Sequence, residues 1–283
     1  VKRTIALSLA ILLTSPGLGW TEQVEQPKPS PWADPDRIRY EEIKFSPPKP
    51  ERVVLDNGLT VYYLEDRELP LVNIAFVVGA GSVFEPLGKE GLAEMTGDVM
   101  RTGGAAKLTG DKVDEELEFL AAPISISLGM EYGTGSLTVL RKDLNSAFKI
   151  FADMLRNPRF DEAKLDQEKN LKIEELRRVF DKPQRLAFRE FKKAIYAGNP
   201  RGRLPEIASI ERIEREDLVS FHKSYFFPRN LRIAVTGDIS KQEALDLISR
   251  QLGDWDDEGD FGTAPLPKPQ ENSPLYYYEK KTP

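Results

Sequence analysis

Residues 91–98 read Gly91-Leu92-Ala93-Glu94-Met95-Thr96-Gly97-Asp98, a helical stretch closed by Gly103-Gly104. Glu94 and Asp98 are spaced i, i+4 and share one helix face, where two carboxylates repel each other unless a cation or a basic side chain stands between them. Gly97 costs about 1 kcal/mol relative to alanine inside a helix. Two readings account for it: close packing of the helix on a sheet, or loss of a side chain that would do chemistry.

Outward from this stretch the pattern alternates between strands and helices. Arg52–Leu55 and Thr60–Leu64 are apolar, β-branched runs separated by Asp56-Asn57-Gly58, a strong hairpin signal. Leu71–Val78 reads as a third strand, ending at Gly79-Ala80-Gly81. On the C-terminal side, Thr109 can cap a helix over 109–121, with Val113, Leu117 and Leu120 on one face, and Pro123 breaks the pattern. Ile124–Leu128 and Gly135–Leu140 read as paired strands. Leu144, Phe148, Phe151 and Leu155 mark a helix ending at Asn157-Pro158. Further helices are predicted over 161–180, 183–196, 215–225 and 241–252, with a buried strand at Leu231–Thr236. An opening hairpin with intermixed helices predicts an α+β fold, mainly antiparallel sheet packed against several helices, rather than a doubly wound sheet.

The flanks differ from this middle. Lys2 and Arg3, the apolar run Ile5–Leu13 and Gly17-Leu18-Gly19 have the form of a signal peptide over 1–19. The apolar run is short for a bilayer span, and Val1 reads as an alternative start, so an exported, periplasmic bacterial protein with no membrane span after signal cleavage is expected. Residues 20–50 carry seven prolines and read as an extended tether. A folded domain is expected over 51–255. Residues 256–283 read as an acidic linker and, at Leu275-Tyr276-Tyr277-Tyr278, the first strand of a truncated second domain. The net charge of −6 argues against a nucleic-acid partner. The absence of cysteine excludes a disulfide and a lipid-modified cysteine.

The order of several short motifs resembles the pitrilysin/insulinase family of metallopeptidases, in its bacterial, mitochondrial-processing-peptidase-like branch. The matching stretches are Leu55-Asp56-Asn57-Gly58-Leu59-Thr60-Val61, Gly79-Ala80-Gly81-Ser82 with Glu85, Gly91-Leu92-Ala93, Arg156-Asn157-Pro158-Arg159-Phe160, and Tyr225-Phe226-Phe227-Pro228-Arg229-Asn230 running into Val235-Thr236-Gly237-Asp238. Together they cover about residues 51–255. Active members carry Gly-x-Ala-His-x-x-Glu-His on a helix and a glutamate ligand on a later helix. The resemblance assigns the first ligand position to Glu94, the general-base position to Gly97, the second ligand to Asp98 and the third to Glu175. The zinc motif is therefore degenerate. Catalytic zinc needs three protein ligands and an open position, and this chain has one histidine, His222, and no cysteine.

These residues allow two readings. Glu94, Asp98 and Glu175 could form an all-oxygen site for a hard cation, or be three solvated or Arg-paired carboxylates in an abandoned cleft, which is the favoured reading. Glu175 lines up with Leu171 and Val179, which predicts a partly inward orientation; an ordinary surface glutamate of a charged helix, beside Glu174, Arg177 and Arg178, is the alternative. His222 beside Phe221 and Tyr225 predicts a packing or surface role rather than a ligand, and Ser82 has no histidine context for a triad. No catalytic residue, metal or cofactor is assigned. The resemblance implies a non-catalytic partner subunit that helps an active, zinc-bearing homologue hold an extended peptide. Capture is expected along a sheet edge, with Ile124, Ser125, Ile126, Ser127 and Leu128 as candidates; an ordinary internal strand is the alternative. Two other functions stay open: a peptidase with an atypical acidic metal site, and a peptide-binding envelope scaffold.

Overall fold

The computed structural model describes residues 44, 46–179, 181–256, 259 and 262–268. The signal-peptide reading, most of the tether and the Leu275–Tyr278 strand lie outside them. The body that begins at Pro48 is an α+β unit. Its strands are β1 (Glu51–Val54), β2 (Thr60–Glu65), β3 (Leu71–Val78), β4 (Ile124–Leu128), β5 (Gly133–Leu140) and β6 (Leu231–Gly237). Its helices are α1 (Leu92–Thr102), α2 (Gly110–Phe119), α3 (Leu144–Arg156), α4 (Glu162–Val179), α5 (Pro183–Ile195), α6 (Ile207–Glu211), α7 (Arg215–Tyr225) and α8 (Lys241–Leu252). Among the described residues no helix is long and apolar enough to cross a membrane.

The six strands form one sheet in the order β1-β2-β6-β3-β5-β4. All neighbours are antiparallel except β2 and β6, which run parallel with Val61 opposite Ile233. Strand β6 arrives only after the helical middle of the chain and inserts between β2 and β3. Its run Leu231, Ile233, Val235 is buried on one face, as suits a strand with a neighbour on either side. Alternation along β3 buries Val72, Ile74, Phe76 and Val78 and leaves Asn73, Ala75 and Val77 on the other face.

Helix α3 presses Phe148 and Phe151 onto the buried face. Phe151 lies 5.9 Å from the Phe76 ring, and Phe226 completes the cluster 6.4 Å from Phe76. The lone histidine belongs to this core. His222 is buried, stacks on Phe226 at 4.8 Å, and its Nε2 bonds the Leu155 carbonyl at 2.8 Å. Burial pushes its pKa down to about 4.

Candidate functional site

Helix α1 is set by local rules before any tertiary contact acts on it. Gly91 precedes it at φ +105°, a left-handed conformation that favours glycine. Leu92, Met95, Val99 and Met100 form its buried stripe. Its first N–H groups find an acceptor in Glu85, whose Oε1 takes bonds from Gly91 N at 3.1 Å and Ala93 N at 2.8 Å. This carboxyl is 4 % exposed, and burial pushes its pKa up to about 7 against the pull of those two donors. Helix α1 packs against β4, α4 and α7, which brings Glu94 and Asp98 to face α4.

Between them stands Lys172. Its Nζ donates to Glu94 Oε1 at 2.7 Å and to Glu175 Oε2 at 2.8 Å. The lysine side chain is 11 % exposed, whereas the two glutamates are near half exposed. Burial draws the Lys172 pKa down, but the hydrogen bonds to Glu175 and Glu94 outweigh it and the net direction is up. Asp98 is half-buried behind this pair. Desolvation, then the charges of Glu94 and Glu168, lift its pKa to about 6, with Lys172 opposing. The structure thus brings Glu94 and Glu175 to one ammonium, with Asp98 within reach of their charges.

Two expectations change in detail: the base that pairs with the carboxylates is Lys172 rather than an arginine, and the surface-glutamate alternative holds for Glu175. The line Leu171, Glu175, Val179 does not face inward: Leu171 is 57 % exposed, and the buried residues of α4 are Leu165 and Leu176. Helix α4 turns Lys172, three residues before Glu175, into the cleft instead. Sequence reading passed over Lys172 because one lysine among the many charges of 162–179 carries no distinguishing pattern. The only available signal was its i, i+3 spacing to Glu175.

Gly97 lies against the sheet. A Cβ there would stand 2.9 Å from Leu128 Cδ1 and 3.1 Å from the Leu128 backbone nitrogen. The close-packing reading of this glycine is therefore realised.

Zinc, which the resemblance attaches to this helix pair, is not matched by the residues present. The oxygens of Glu94 and Glu175 are engaged by an ammonium, and position 97 offers no proton acceptor. Among the described residues no three His, Cys, Asp or Glu side chains converge to hold a metal ion.

The five peptide-binding candidates form β4, an edge strand of the sheet. Ile124, Ile126 and Leu128 are buried by side chain, and Ser125 and Ser127 are exposed. Hairpin bonds from Gly129 N to Tyr132 O and from Thr138 N to Pro123 O set the antiparallel alternation. Backbone groups of Ser125 and Ser127 consequently face β5, and those of Ile124, Ile126 and Leu128 face the open edge. Part of that edge is occupied. Arg101 Nε donates to the Ile124 carbonyl at 3.0 Å while its Nη1 pairs with Asp114 at 2.7 Å, and Gly97 abuts Leu128 N. Ile126 lies between the two covered positions.

Comparison with known proteins agrees with this architecture. The family model described as insulinase (peptidase family M16) matches residues 60–204, and that described as the peptidase M16 inactive domain matches 212–283. An uncharacterized zinc protease of Rickettsia bellii is 25 % identical over 193 residues, 68 % of this chain and 47 % of its own length. The human mitochondrial-processing peptidase subunit beta is 26 % identical over 215 residues, 75 % of this chain and 44 % of its own length. A peptidase M16 inactive domain from Pseudomonas fluorescens has the same fold, with TM-score 0.73 at 23 % identity over 78 % of this chain and 54 % of that one. The chain spans less than half the length of the two curated relatives.

Proposed function

Because this chain belongs to the insulinase family of peptidases, family M16, we propose that it is a non-catalytic member, a partner that helps hold an extended peptide for an active zinc-bearing homologue. The observation that carries this reading is the cleft itself. Amide hydrolysis by the family's chemistry needs a metal-bound water and a general base within hydrogen-bond reach. Here an ammonium stands between the ligand positions, and the base position is a glycine packed on Leu128. An atypical acidic metal site would have to displace Lys172 from both glutamates, so that alternative is disfavoured.

Peptide binding is assigned to β4, whose outward backbone groups at Ile126 can pair with an added strand. The export reading of residues 1–19 supports a periplasmic location. The test is to purify the chain with a histidine-bearing homologue of the same cell and measure peptide cleavage by each alone and by the mixture. The chain alone is expected to be inactive, and the mixture to exceed the homologue alone by about tenfold or more in kcat/KM, equivalent to about 1.4 kcal/mol. A mixture no faster than the homologue alone would overturn the partner role.

A further inference from the structure

Helix α5 turns its apolar residues to solvent. Of its thirteen residues only Leu186 is buried, while Phe188, Phe191 and Ile195 are exposed. At about 3.6 residues per turn Gln184, Phe188, Phe191 and Ile195 form one outward stripe. Arg185 and Lys192 run along one flank of that stripe with Arg189 next to them, and the only acid of the helix, Glu190, lies away from both. Four bases against one acid make α5 locally basic in a chain whose net charge is −6.

Much of this positive charge is recessed. Arg189, Lys192 and Lys193 are half-buried. Arg189 Nη2 donates to the Pro205 carbonyl at 2.6 Å, and Arg189 and Lys193 line a cavity of about 590 Å³ together with Leu176, Pro205 and Ile207. Burial, then the charge of Arg189, draw the Lys192 pKa down, with Glu85 opposing. Helix α4, which holds Lys172 and Glu175, packs against both α1 and α5, so α5 borders the cleft already described.

Charge and shape choose among occupants of this face. A second copy carries the same net charge, and in a two-fold contact α5 would meet α5 with like charges opposed. A lipid surface could take the rings but is too flat to reach bases recessed beside α4 and α6. An extended peptide alternates its side chains, so apolar groups can lie on the stripe while carboxylates enter the flank. We propose that α5 selects acidic peptides, its stripe taking apolar side chains and Arg185, Arg189 and Lys192 taking the carboxylates beside them. This rests on the peptide-holding reading and adds a substrate class to it, since main-chain pairing at β4 is indifferent to side-chain charge.

The test is fluorescence anisotropy with labelled extended peptides of one length that share their apolar residues and carry either glutamate or lysine elsewhere. Wild type is expected to bind the glutamate peptide at least about tenfold tighter in low salt, with the gap closing as salt is raised. Arg185→Gln with Lys192→Gln is expected to bring the two affinities within about threefold. Should that pair fail to fold, Arg185→Gln alone, at an exposed position, is expected to lower the ratio at least about twofold. Phe188→Ser with Phe191→Ser is expected to weaken both peptides about tenfold or more and to keep the wild-type Tm, since both rings already lie in solvent. Equal affinity of wild type for the two peptides, a preference that survives loss of the bases, or binding of neither peptide would each overturn the proposal. So would phosphatidylglycerol vesicles that bind wild type and displace the glutamate peptide, which would give the face to a membrane. Ile126→Pro separates this inference from the strand-edge reading. An acidic preference that persists in Ile126→Pro sinks the edge and leaves α5; binding that shows no preference but is lost in Ile126→Pro sinks α5 and leaves the edge.

Discussion

Gly97 is where packing and chemistry exclude one another. The resemblance gives this position to a general base, yet its Cα lies so close to β4 that even a methyl group would press on Leu128. Restoring a glutamate here is therefore not a simple reactivation. Gly97→Glu is expected to lower stability by about 1–3 kcal/mol, the usual cost of forcing atoms into a packed contact, partly offset by about 1 kcal/mol of helix propensity. It is also expected to leave peptide hydrolysis at background. Urea unfolding and a fluorogenic-peptide assay check the two halves; measurable turnover in this single variant would contradict the reading of the cleft. Glu85 shows a different residue-scale compromise. It is charged enough to satisfy two helix donors and buried enough to pay for that with a raised pKa.

Among the elements, β4 decides how a peptide could bind. Its side chains are committed to the core at Ile124, Ile126 and Leu128, so any recognition along the edge uses main chain. Arg101 already caps the Ile124 carbonyl and α1 abuts the Leu128 nitrogen. The Ile126 amide is left as the central donor. Proline is tolerated on edge strands because its missing N–H faces outward there. Ile126→Pro is therefore expected to abolish binding of an extended peptide, seen as loss of fluorescence anisotropy. The accompanying stability loss is about 1–3 kcal/mol from the truncated buried side chain. Binding that survives this change would move the peptide site off β4. Helix α5 stands apart from this edge. Phe188 and Phe191 are 70 % and 56 % exposed with rings 6.3 Å apart, a pair of apolar rings open to solvent.

Over the whole molecule, stability against pH is set by buried groups that oppose one another. Glu85 has its folded pKa raised from 4.5 to about 7, so the stability it contributes is present below pH 4.5 and lost as pH rises to 7. Asp98, raised to about 6, acts in the same direction but less strongly because it is only half-buried. His222 has its folded pKa lowered from 6.5 to about 4, so its contribution is present above pH 6.5 and lost as pH falls to 4. The two fully buried groups differ from their ordinary values by similar amounts, each equivalent to about 3 kcal/mol, and their slopes largely cancel between pH 4.5 and 6.5. Glu85→Gln keeps an acceptor for Gly91 and Ala93 but removes the titration. Relative to wild type it is expected to be near neutral at pH 4.5 and stabilising by about 2–3 kcal/mol at pH 8. Urea midpoints across that range check it; a difference that does not change with pH would show that Glu85 does not titrate as described.

Local pattern alone determined most of the elements. The Asp56-Asn57-Gly58 turn, the alternation of β3, the Gly103-Gly104 stop and the Asn157-Pro158 stop all act within a few residues, where steric and hydrogen-bonding preferences operate without tertiary help. The chain's own residues likewise established that Glu94, Gly97 and Asp98 cannot make a histidine-type zinc site. Tertiary structure alone decided that β6 enters between β2 and β3, that Gly97 seats on Leu128, and that Lys172 rather than an arginine pairs with Glu94 and Glu175. These features join residues far apart in the chain, Lys172 and Glu94 by 78 positions. Their geometry is set by how whole elements pack, and periodicity within one element carries no record of which neighbour it will meet.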